Sequence, residues 1–229
     1  MKTKRVFYTE LAYVAGLVVL AIGTALMERA NFGMSMVVAP AYLLHLKISQ
    51  VLPWFSFGMA EYVFQALLLI VLALLMGKFR LGYLFSFVTA VLYGLTLDGC
   101  MALVGLIPGD GLAGRVIFFL VGMAMCSLGV ALFFHTYISP EAYELMVKGI
   151  ADKWHWDVSR VKTVYDCLSC LLSIVLSFAF FGMWHFEGVK LGTVVCALIN
   201  GFLIGQASRW MEARFRFEDG LKLRPYFEK

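Results

Sequence analysis

The chain has 229 residues, of which 62% are hydrophobic and 15% charged, with mean hydropathy +0.84 and a formal net charge of +4. A soluble domain is typically about 45–50% apolar and about 25% charged, so lipid must be the solvent for much of this surface. That composition excludes a soluble globular enzyme and a nucleic-acid-binding module.

The chain opens on MKTKR followed by an apolar run, the spelling of a signal peptide. The run from Val6 to Met27 is longer than an h-region of about 7–15 residues, so it reads as a retained first span. Five further segments are long and apolar enough for a bilayer core that needs about 20 helical residues. In order, the six are Val6–Met27, Trp54–Met76, Leu81–Ile107, Gly114–His135, Thr163–Trp184 and Val189–Arg209. The connectors Gly77–Arg80, Pro108–Ala113 and His185–Gly188 are short, which sets consecutive spans side by side and antiparallel. No linker rich in Ser, Gly or Pro divides the chain, so residues 1–229 form a single all-α membrane domain.

Orientation follows from the basic residues. Lys2, Lys4, Arg5, Lys78, Arg80, Lys148, Lys153, Arg160, Lys162 and the six from Arg209 to Lys229 fall on one side. Only Arg29, Lys47, Arg115 and Lys190 fall on the other, so both termini are expected in the cytoplasm. The tail, residues 212–229, alternates Arg with Phe just past the last span and reads as an interfacial anchor. A contact with anionic lipid is the alternative, since juxtamembrane Lys or Arg are drawn to that leaflet by about 1 kcal/mol each.

Two stretches repeat one another. Gly23 matches Gly129, Ser35 matches Ser139, Glu61 matches Asp166, Gly82 matches Gly192 and Gly94 matches Gly205, all in the same order. The first copy covers about 6–107 and the second about 114–211, with three spans in each. An odd number of spans reverses the second copy, which predicts a 3+3 inverted-topology repeat, an arrangement common among secondary transporters. After the first span of each copy comes a short interrupted segment. Phe32–Ile48 is apolar, too short to span and broken by Gly33 and Pro40, so it reads as re-entrant or interfacial. In Ser139–Trp156, Ser139, Pro140 and Glu141 spell a helix start. Ala142, Leu145, Met146, Gly149 and Ile150 then share one face, with Glu144, Lys148 and Asp152 on the other. That pattern favours an amphipathic helix on the cytoplasmic surface. The alternative is a half-helix whose N-terminus points inward.

Charge inside a span is expensive, about 2.5–3.5 kcal/mol on insertion scales, and marks a functional candidate. Glu61 lies about 10 Å inside its helix at about 1.5 Å per residue, with Gln65 one turn deeper on the same face. Asp166 sits at the matching place in the fifth span, four residues after Lys162, and an ion pair with that lysine is its plain structural reading. Asp98 in the third span would want Arg115, Arg209 or a proton if buried. Ser35 and Ser139 mark the two interrupted segments. Asn200 and Gln206 read as helix bridges and Gly201-x-x-x-Gly205 as a packing face.

Other chemistry is not spelled. Cys100, Cys126, Cys167, Cys170 and Cys196 are odd in number and set in apolar segments, against a disulfide framework. Cys167-x-x-Cys170 has no second pair or histidine cluster to make a zinc site. His45, His135, His155 and His185 lie at helix ends or in loops and form no metalloenzyme motif. No cofactor, metal or catalytic residue is therefore expected, and the chain is not expected to be an enzyme.

Asn31–Ser35, Ser139-Pro140 with Leu145-Met146, Val161–Asp166, and Leu191-Gly192-Thr193 through Gly205 together resemble the YczE/YyaS/YitT family of small membrane proteins. Met36, Glu141 and Lys162 depart from that family's pattern. The resemblance implies a bacterial inner-membrane protein of six spans. The function expected is a small secondary transporter or channel-like permease, its site between the halves and lined by Glu61, Gln65, Asp98, Ser35, Ser139 and Asp166. Its substrate, a small molecule or ion, is not legible, and a homo-oligomer is left open. A membrane scaffold acting through Ser139–Arg160 and the basic tail is the alternative.

Overall fold

The computed structural model describes residues 5–79, 81–109, 111–183, 188–221 and 224. Lys2, Lys4, Arg80, Trp184, His185, Lys222 and Lys229, named above for charge or span limits, lie outside the described residues. The chain begins with a short strand, Arg5–Tyr8 (β1), that leads into Thr9–Ala30 (α1). Then follow Ala39–Ile48 (α2), Phe57–Met76 (α3), Leu81–Gly105 (α4) and Leu112–Phe134 (α5). Ala142–Trp154 (α6), Val158–Phe181 (α7), Leu191–Arg214 (α8) and a second strand, Phe215–Glu218 (β2), complete it. All six expected spans are present as helices long and apolar enough to cross a membrane, namely α1, α3, α4, α5, α7 and α8.

Local chemistry sets the limits. Asn31 closes α1 in the left-handed conformation at φ 55°, and Gly77 closes α3 at φ 67°. The Ser56 hydroxyl caps α3 by accepting the Met59 N–H. The fifth span starts at Val158, earlier than the expected Thr163, because Asp157 accepts the Arg160 N–H and opens the helix there. Charged Arg160 and Lys162 thus belong to the first turns of α7.

The first span differs from expectation too. Residues 5–8 are strand, and β1 pairs in parallel with β2, Arg5 opposite Phe215 and Tyr8 opposite Glu218. The Arg/Phe alternation of the tail is a strand's period of two. Phe215 and Phe217 therefore share a side, with the Phe7 ring 5.5 Å from one and 5.7 Å from the other. Glu10 closes the join: it accepts the N–H groups of Gly220 and Leu221 and the Tyr137 hydroxyl. Thr9 donates to Asp219, which also holds Arg224. The start of α1 and the end of α8 are therefore tied at one end of the bundle.

At the centre, α1 and α5 lie antiparallel at glycine distance. A Cβ on Gly23 would stand 2.8 Å from the Gly122 oxygen, and one on Gly129 2.9 Å from the Gly16 oxygen. Side-chain-free positions at i and i+7 let the two backbones touch, as small residues do in membrane helices. Around this pair, α4 packs on α1 and α8 packs on α5. Short helices α2 and α6 each pack on both α3 and α7. The outer pairs differ. Gly58 of α3 faces Gly94 of α4, where a Cβ would run into the Gly94 carbonyl. Gly201 and Gly205 of α8 meet nothing within 4 Å. The expected packing face on α8 thus turns away from the rest of the chain, beside exposed Leu198 and Phe202.

Candidate functional site: a carboxyl pair bridged by one amide

Helix α6 is not the surface helix that its pattern favours. Ser139, Glu141, Tyr143 and Glu144 are buried, and the exposed residues begin at Asp152. Its first turn lies against Gln65, eight residues or about 12 Å into α3 at about 1.5 Å per residue. Its last turn meets the far end of α3, where Lys153 donates to the Leu75 carbonyl and Gly149 packs on Leu72. The helix therefore enters along α3 and stops midway, its N-terminus facing inward. Glu144, assigned to the solvent face by its spacing, is 6% exposed. The correction has a physical source: α3 and α7 cover both flanks of α6, so a two-sided pattern no longer distinguishes water from protein.

The segment before α6 is held by α4. Ser86 donates to the Pro140 carbonyl at 2.6 Å, and Thr89 to the Ser139 carbonyl at 3.0 Å. Its counterpart after α1 is held by the start of α8: Met34 N–H donates to Gly188, and Gly192 N–H to Phe32. Lys47, at the end of α2, donates to the Phe180 carbonyl in the last turn of α7.

Where the buried end of α6 meets α3, four polar side chains converge. Gln65 Nε2 donates to Glu141 Oε2 at 3.0 Å and to Glu61 Oε2 at 3.4 Å. Its own Oε1 accepts the Ala142 N–H at 3.0 Å, which fixes the amide's orientation. The Tyr143 hydroxyl donates to Glu61 Oε2 at 2.8 Å. Glu61 and Gln65 are wholly buried and Glu141 is 2% exposed. The second carboxyl oxygens, Glu61 Oε1 and Glu141 Oε1, are buried with no hydrogen-bond partner. Neutral amide and phenol groups thus serve both carboxyls, and neither makes an ion pair among the described residues. Burying an ion costs several kcal/mol even after relaxation, so this arrangement is high in electrostatic tension unless positive charge joins it.

A small cavity of about 30 Å³ opens beside Glu141. Ser35, Val37 and Val38 wall it from the first half, and Glu141, Tyr143, Glu144 and Lys162 from the second. It has room for a water molecule, which needs roughly 10–15 Å³. A wider groove of about 660 Å³ between α6 and α7 is bounded by Trp154, Trp156, Val164 and Leu168. Those side chains are exposed on the apolar periphery, where lipid chains would fill the groove.

The remaining expected site residues separate. Ser35 lines the cavity. Ser139 is buried one residue from Glu141 but is held at α4 and is not among the cavity's walls. Asp166 takes its plain reading and pairs with Lys162 at 3.0 Å. Asp98 sits elsewhere, at the head of α3. It accepts the Ser56 hydroxyl at 2.5 Å and the Gly58 N–H at 2.8 Å. Neither suggested arginine reaches it: Arg115 donates to the carbonyls of Ala30 and Asn31, and Arg209 to that of Gly205.

Sequence reasoning missed Glu141, Tyr143 and Glu144 as site residues. Glu141 had a signal, as a carboxylate directly after Ser-Pro at a helix start. Thr24 and Tyr93, hydrogen-bonded to each other at 2.9 Å nearby, had none.

Among the described residues, no group of three or more His, Cys, Asp and Glu side chains could hold a metal ion. Comparison with the curated proteins and with the solved structures finds no match. A family model described as a family of unknown function, DUF6198, matches residues 7–209. That match runs from within β1 into α8 and takes in every residue of the constellation, so this integral membrane chain belongs to the family of unknown function DUF6198.

Proposed function

We propose that this chain is a small secondary transporter, built as a 3+3 inverted repeat, whose site lies between the two halves. One observation carries the reading. The cavity is walled by the interrupted segment of each half, Ser35–Val38 and Glu141–Glu144, with Glu61 and Gln65 reaching it from the first half through Glu141. Inverted-repeat transporters place their sites at such an interface, between discontinuous helices.

The packing supports the repeat. The shift that carries Gly23 to Gly129 carries Gly16 to Gly122, so the contact of Gly16 with Gly129 becomes the contact of Gly122 with Gly23. Likewise α4 on α1 becomes α8 on α5, and α2 lies against α3 and α7 as α6 lies against α7 and α3. The basic-residue bias supports cytoplasmic termini, and the resemblance to YczE/YyaS/YitT proteins supports a bacterial inner membrane. Transport is favoured over catalysis because the carboxyls come from both halves of the chain, as sites of inverted-repeat transporters do. It is favoured over a scaffold because the described part of the tail is engaged with the chain's own N-terminal strand.

Access is the test, and it needs no substrate. Ser35→Cys in a background lacking the five native cysteines is placed in membrane vesicles of both orientations and treated with an impermeant maleimide. Labelling from both sides is expected as the cavity opens alternately. Labelling from neither side, or from one side alone, would overturn the proposal.

A further inference from the structure

We infer that Glu61, Gln65 and Glu141 form a proton-binding site, in which one amide holds two carboxyls from opposite halves of the chain and a proton supplies the missing positive charge. This rests on the transporter reading and names its coupling ion.

The geometry carries the inference. Each carboxyl spends one oxygen on the shared Gln65 amide and leaves the other buried and unpartnered. An unpartnered carboxylate oxygen in such a place is costly, and an O–H group formed there removes the charge. A proton from water in the cavity bonds to a carboxylate oxygen of Glu141 or Glu61, and its return to that water restores the carboxylate. No redox partner enters the step.

The neighbours do not supply the charge in another way. On α3, the pair has only Gln65 beside it. From α1 and α4 come the phenols of Tyr13 and Tyr93, and from α5 the thiol of Cys126. From α6 come Tyr143, hydrogen-bonded to Glu61, and the further carboxyl of Glu144. From α7, Tyr165 faces Glu61, while Lys162 is occupied by Asp166 at 3.0 Å and also faces Glu144, as Lys148 does. Four buried acids, Glu61, Glu141, Glu144 and Asp166, therefore meet two partly buried cations, Lys162 and Lys148, neither of which pairs with Glu61 or Glu141. The inward N-termini of α2 and α6 add partial positive charge of about half a unit each, which lowers the imbalance without cancelling it.

A proton fits better than a metal ion. A cavity of about 30 Å³ excludes an organic cation, and Leu20, Val37, Val130 and Ile204 make much of its wall apolar. A bare alkali ion would have to draw its oxygen shell from Thr24, Ser35, Asn200 and the carboxyls, of which Thr24 and Asn200 are already engaged with Tyr93 and Ser127. A proton needs one lone pair.

The experiment is an infrared pH-difference titration of the purified full-length protein in detergent, read at the protonated-carboxyl C=O band and its shift in D₂O. The wild type is expected to show a titrating band unaffected by sodium at fixed pH. Glu61→Gln and Glu141→Gln should each remove part of it, and Gln65→Leu should move its midpoint. No titrating band in the wild type, a band untouched by both glutamine variants, or loss of the band on adding sodium would each overturn the inference. The wild-type pH and sodium arms need no variant to fold. Because nothing is transported in detergent, a titrating band with Ser35→Cys labelled from neither side would retain the proton site and reject transport.

Discussion

Gly23 and Gly122 face each other across the centre of the bundle so closely that a Cβ on either would stand 2.8 Å from the other's carbonyl oxygen. Backbone, not a yielding side chain, blocks the space. Gly23→Ala should therefore push α1 from α5 and destabilise the protein by about 1–3 kcal/mol, the usual range for overpacking. Gly201→Ala, where nothing lies within 4 Å, should be neutral or stabilise by up to about 1 kcal/mol through helix propensity. Thermal unfolding in detergent compares the two, and equal effects would remove the central glycine contact as the cause.

Asp98 acts on α3 as an auxiliary cap, through Ser56 and the Gly58 N–H. Asp98→Ala should cost about 1–2 kcal/mol, the range for a lost N-cap, and leave access to a cysteine at Ser35 unchanged. If Asp98→Ala abolished that labelling while the melting temperature held, a pathway role would replace the structural one.

Glu61→Gln keeps the side chain's shape and its contacts with Tyr143 and Gln65 while removing the ionisable group. The variant should elute as the wild type does on size exclusion and lose solute flux in proteoliposomes once a substrate is in hand. Full flux would take Glu61 out of the site.

The terminal ribbon should open in acid. Arg224 beside Asp219 holds that carboxyl below its ordinary 3.8, so the native state favours the charged form. Its contribution is present above 3.8 and is lost as pH falls through the lower native value. Tyr137, pushed up to about 12 by burial and by Glu10, stays a donor through the whole working range. Hydrogen exchange at the Gly220 and Leu221 amides should rise as the acid limit is crossed. Asp219→Asn should weaken that pH dependence, and an identical profile would separate the ribbon from Asp219.

How much of this was legible follows from what sequence periodicity measures. The six spans were plain because each needs about 20 apolar residues, a signal that no neighbour can disguise. Glu61 and Gln65 stood out because a polar residue in a span has no bland context. Glu141 and Glu144 were hidden because they lie in a segment already polar, where a charge reads as solvated. It is α3 and α4, distant in sequence, together with α7 that bury them. Asp98 misled for the opposite reason: it looks isolated inside its helix, yet its partners sit at the head of the preceding one, across a loop. The β1–β2 pairing was illegible because each strand alone is four residues long.

That pairing also bears on how the protein is made. Phe215 follows its partner Arg5 by 210 residues in synthesis. At about 5–20 residues per second, the gap is on the order of 10–40 s. For that interval α1 must be inserted with its leading strand unmatched, and only the last span's arrival can complete the join. Insertion of α8 and closure of the bundle's two ends are therefore nearly the same event, which makes the ribbon a mark of a fully inserted bundle.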